Sequence, residues 1–146
     1  MAQFARPDAD ITDGNWLKST GGNVDLYTMI DEASFDDADY IESGLAPSAD
    51  ACAVNLGNVE DPIASTGHTV RYRYRKNSAG GSQINLTVEL RQGYVSEGTP
   101  GTLIHQEVHT NISDTITAGT FTLSAGEADS ITNYNDLQLR FVATQV

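Results

Sequence analysis

The residues able to do chemistry are few and badly spaced for it. His68, His105 and His109 are the only imidazoles, and Cys52 is the only thiol. In an extended strand His105 and His109 would share a face with their Cα atoms about 13 Å apart, too far to grip one metal ion. A lone cysteine can form no disulfide within the chain and no cysteine-based zinc site. Its setting, Ala51-Cys52-Ala53-Val54-Asn55-Leu56, puts Cys52, Val54 and Leu56 on one strand face, which reads as a buried small hydrophobe and not a nucleophile. The sequence contains no Gly-x-Ser-x-Gly elbow, Walker loop or His-Glu-x-x-His pair, so nucleophilic, phosphoryl-transfer and zinc-hydrolase chemistry have no anchor.

Carboxylates are abundant, 20 against eight basic side chains. Asp8, Asp10, Asp13 and Gly14 imitate the start of a calcium loop, but the third aspartate comes one residue late and Ser19 stands where a bidentate glutamate is needed. Asp31, Glu32, Asp36, Asp37 and Asp39 are denser and read as solvated or partner-facing groups. Two carboxylates can always be chosen from 20 to resemble a glycosidase pair, so their number is no evidence of catalysis. The expectation is a non-enzymatic protein with no cofactor and no bound metal.

One basic pattern stands out. Arg71, Arg73 and Arg75 alternate with Val70, Tyr72 and Tyr74, and Lys76 follows, so half of the eight basic residues lie in one short run. The period of two sends the tyrosines to one face, toward a core, and the guanidinium groups to the other. Inward tyrosines cannot stack on bases, and a net charge of −12 repels phosphate backbones, so nucleic acid is not an expected partner. The arginine row is expected to meet acidic side chains, of this chain's own N-terminal part or of a neighbouring subunit. Trp16, the sole tryptophan, reads as an anchor pinning the N-terminal segment to the body.

These residues need a scaffold, and 146 residues make one domain. Nowhere do 18 apolar residues run together, so no membrane span is expected, and the first seven residues lack the apolar run of a signal peptide. Residues 1–61 hold 13 of the 20 acidic side chains and only Arg6 and Lys18 among the basic ones. They read as an irregular acidic arm, 1–20, followed by loops of a single body, 21–146. In the body, Val70–Tyr74 and Ile84–Leu90 alternate cleanly and are expected to pair as a hairpin, with Glu89 beside the arginines. Further strands are expected at Tyr40-Ile41, Cys52–Leu56, Thr102–Thr110, Phe121–Leu123 and Leu137–Ala143. Single helical turns are expected at Leu26–Glu32 and Gly126–Ile131, the second opened by a Ser124-x-x-Glu127 capping box. The expected fold is all-β, a two-sheet antiparallel sandwich of jelly-roll-like form.

Three stretches carry a resemblance: Arg6-Pro7-Asp8-Ala9-Asp10-Ile11 with Gly14-Asn15-Trp16; Leu26–Glu32 with Asp36–Ile41; and Ala128–Ile131 with Asn133–Phe141. In this order they resemble small virion structural proteins of tailed bacteriophages. The resemblance implies a β-sandwich component of the particle that decorates or cements the capsid exterior after synthesis in the host cytoplasm. The major capsid protein would be the partner, and a homotrimer is one arrangement compatible with that role. Phe4, Arg6 and Pro7 of the arm, with Arg71, Arg73 and Arg75, are the residues expected to touch it. A tail or neck position, or a carbohydrate-binding module using Trp16, Tyr94 or Tyr134, are the alternatives.

Overall fold

The computed structural model describes residues 2–79 and 81–146. Among the described residues nine strands form antiparallel pairs: β1 (Pro7–Thr12), β2 (Leu17–Lys18), β3 (Ile41–Glu42), β4 (Asp50–Leu56), β5 (Thr69–Tyr74), β6 (Ile84–Gln92), β7 (Thr102–His109), β8 (Thr117–Thr122) and β9 (Leu137–Gln145). Five of them build one sheet in the order β1-β4-β9-β6-β7, while β5 pairs with β8 and β2 with β3. The fold is all-β and antiparallel, as the alternating pattern requires, but its layers are unequal.

Register keeps the apolar positions together. Val88 stands opposite Phe141, Leu90 opposite Leu139 and Cys52 opposite Phe141 on the other side, so one face of the large sheet is continuously apolar. The β5–β8 pair covers the β6–β7 half of that face. There the Tyr74 ring stacks on His109 at 4.3 Å and His105 lies 4.4 Å from Phe121. Trp16 covers part of the other half, with its ring 6.3 Å from that of Phe141.

The expected hairpin between β5 and β6 does not form. Both edges of β6 are taken by longer partners, β9 through nine residue pairs and β7 through seven, while β5 crosses to the second layer and pairs with β8. Gly119 opposite Tyr72 fixes the β5–β8 pairing, because a Cβ there would overlap the Tyr72 ring. Glu89 is consequently remote from the arginine row and pairs with Arg91 and Arg140.

Residues 7–12, expected as part of an irregular arm, form the edge strand β1, in which Pro7, Ala9 and Ile11 alternate with Asp8, Asp10 and Thr12 and which pairs with β4 through two register shifts. Asp10 in this strand is structural. Its two carboxylate oxygens accept the backbone N–H groups of Leu26 and Tyr27, both at 2.8 Å, and so cap the 3-10 turn Leu26–Met29. The short helix α1 (Ala125–Asp129) opens on the expected capping box, with Ser124 and Glu127 bonding reciprocally.

Candidate functional site

The second layer has fewer strands than the first, and a cleft remains between them. Its volume is about 1050 Å³, and Phe4, Arg6, Pro7, Arg71, Arg73 and Arg75 all line it. The residues singled out from sequence for partner contact border this cleft together with much of both layers, and no hydrogen bond or ion pair among the described residues joins the Phe4–Pro7 segment to the arginine row. Its floor is the apolar face of the large sheet, including Ile84, Leu139 and Phe141. Phe4, Phe35 and Leu45, also lining residues, are 66%, 64% and 93% exposed, so the cleft opens onto an apolar rim.

β5 divides as its period demands. Tyr72 and Tyr74 point inward, where their hydroxyls reach the two ring nitrogens of His109 at 2.7 and 3.0 Å. Arg71 and Arg73 are exposed on the opposite face. Arg73 donates two parallel hydrogen bonds to Asp37, at 2.6 and 2.7 Å, and its guanidinium lies 5.4 Å from the Phe35 ring centre. The Arg73 bonds hold the Asp37 carboxyl below the usual carboxylate range, and the same bonds raise Arg73. Arg75 lies 5.9 Å from the Tyr40 ring. The acidic segment 35–40 thus forms a flap on the arginine row, which meets this chain's own N-terminal part as the charge distribution suggests.

The N-terminal residues run along the same cleft. Arg6 accepts the Gly57 N–H at 2.7 Å through its carbonyl, and Gln3 exchanges two hydrogen bonds with the backbone of Glu60. Pro7 opens β1 opposite Leu56, and the Arg6 guanidinium rests 5.3 Å from the Phe4 ring.

Trp16 is only 6% exposed and donates its indole N–H to the Asp50 carbonyl at 3.1 Å, which is the anchoring role expected of it. It offers no open ring face to a sugar. Cys52 is fully buried, and burial pushes its thiol well above the ordinary value. His68 pairs with the Tyr134 hydroxyl at 2.8 Å, while His105 bonds Glu127 at 2.7 Å. The His105 bond and the Ser124 cap together hold Glu127 at about 2. Among the described residues no group of three or more His, Cys, Asp or Glu side chains is placed to hold a metal ion.

The opposite face of the large sheet carries a charged cluster that the sequence pattern does not announce. Glu89, 6% exposed, accepts from Arg91 at 2.6 Å and from Arg140 at 3.0 Å through one oxygen. Arg140 also reaches Glu97 at 2.7 Å, and Tyr94 donates to Glu97 at 2.8 Å. Burial raises the Glu89 and Glu97 carboxyls, but the guanidinium bonds outweigh it and both end below the usual value. The cluster ties the loop after β6 down onto the sheet. Its one sequence signal is the placing of Glu89, Arg91 and Arg140 on the polar faces of two alternating strands, which register alone brings together.

No family model, curated protein or solved structure matches this chain.

Proposed function

We propose that the protein is a non-enzymatic structural component of a tailed-phage virion that binds the outer surface of the major capsid protein lattice. The observation that carries this reading is one broad, open, apolar-rimmed cleft bordered by both the N-terminal residues and the arginine row. A net charge of −12 keeps free copies apart, and Arg71 and Arg75, which carry no ion pair among the described residues, remain available to carboxylates of a docking partner. Weak contacts repeated over a lattice supply occupancy without any single dominant residue. The resemblance in the three ordered sequence stretches supports the virion assignment.

Co-sedimentation with mature, undecorated capsids tests the proposal. Saturable binding, weakened when Arg71 and Arg75 are replaced by glutamate, is the expected result. Equal sedimentation of the protein with and without capsids would refute it. Trp16 buried beneath the surface weighs against the carbohydrate-binding alternative.

A further inference from the structure

The free edge of β5 faces the cleft. Every residue of β5 lines the cleft, whereas no residue of β8 does, and among the described residues β8 is the only strand paired with β5. Just before β5, the His68 carbonyl accepts the Leu123 N–H at 2.9 Å. Antiparallel bonding alternates from there, so Val70, Tyr72 and Tyr74 direct their backbone groups to β8. Thr69, Arg71 and Arg73 direct theirs to the cleft, where no strand receives them.

We infer that β5 and the cleft accept an extended segment of a partner polypeptide by strand addition, with acidic side chains at alternate positions and apolar ones between them. The chemistry follows from the two faces of β5. Outward side chains of an added strand would lie beside Arg71 and Arg73, which suits carboxylates, and inward ones would lie over Leu139, Phe141 and Ile84. The chain already shows what the row accepts, because Asp37 of the flap makes a two-bond pair with Arg73. A second copy pairing through the same edge would set one arginine row against another, so the partner is a different chain. The inference rests on the decoration reading for its source, a segment of the capsid subunit.

The test uses the full-length protein and a blocked synthetic peptide of eight residues alternating aspartate with valine. Saturable binding is expected, with amide exchange at Thr69, Arg71 and Arg73 slowed about tenfold or more. Arg71 is exposed and carries no ion pair among the described residues, so R71E should fold normally and bind about tenfold more weakly. D37N, which frees Arg73, should bind more tightly. A peptide with lysine in place of aspartate should not bind. Unchanged exchange at these amides under saturating peptide, or equal binding of the lysine peptide, would overturn the inference. So would protection of the same amides by concentration-dependent dimerisation. Capsid binding without peptide protection would sink this inference alone, and peptide protection without capsid binding would sink the decoration reading alone.

Discussion

Arg73 and Asp37, 36 residues apart in sequence, meet through two parallel N–H···O bonds that latch the acidic flap to the outer face of β5. Their side chains are 32% and 42% exposed, so solvent screens the pair and its worth lies in position more than in stability. It holds Phe35 against the guanidinium and neutralises one arginine of the row.

Breaking this latch should loosen the flap without unfolding the body. D37N is expected to leave the melting temperature within about 2 °C of wild type, as befits an exposed ion pair. Amide exchange across residues 35–39 should accelerate. Unchanged exchange there would show that the flap is held by something else.

The Glu89 cluster makes the opposite prediction. Glu89 and its two arginine partners have side chains only 8–15% exposed, so E89A leaves Arg91 without a carboxylate and Arg140 with Glu97 alone. The expected loss is about 3 kcal/mol, read from denaturant unfolding. A loss under about 1 kcal/mol would mean that water or Glu97 compensates.

The same group sets part of the acid limb of stability. Its folded value lies below the ordinary 4.5, so its contribution is complete above that pH and drains away as pH falls through the lower folded value. Glu97 acts in the same direction. Wild-type stability should therefore decline on acidification below about 4.5, and E89A should show a shallower decline. Parallel pH profiles of the two proteins would contradict the linkage.

Buried Trp16 and Cys52 give two spectroscopic and chemical checks. As the only tryptophan, Trp16 should emit as a shielded indole and shift red only on unfolding, with no change on adding glycans. W16A should cost about 3–5 kcal/mol through the cavity it leaves. Cys52 should resist an aromatic disulfide reagent in the native state and react fully in denaturant. Rapid native-state labelling would show that the sheet core opens.

The strands with clean alternation are legible in the sequence because a half-buried sheet imposes a period of two on β5, β6 and β9. The capping box of α1 is legible because its contacts are local, Ser124 to Glu127. Pairing is not, since nothing within Val70–Tyr74 says that Gly119 will make room for Tyr72. β1 is hard to read because its alternation, Pro7, Ala9 and Ile11 against Asp8, Asp10 and Thr12, is not matched by burial: two register shifts accompany an exposed Ile11 and an Asp10 turned to cap Leu26 and Tyr27. The arginine row is visible as a pattern. The cleft beside it is not, because it arises from the unequal widths of two layers, a property of topology and not of any local run.

Cryo-microscopy of mature capsids incubated with the protein tests the central claim most directly. The account predicts density at regular lattice positions on the capsid exterior, with the cleft carrying Phe4, Arg6, Pro7 and the arginine row turned toward the capsid subunit. Capsids that stay bare at saturating protein, or protein bound with that face turned to solvent, would contradict it.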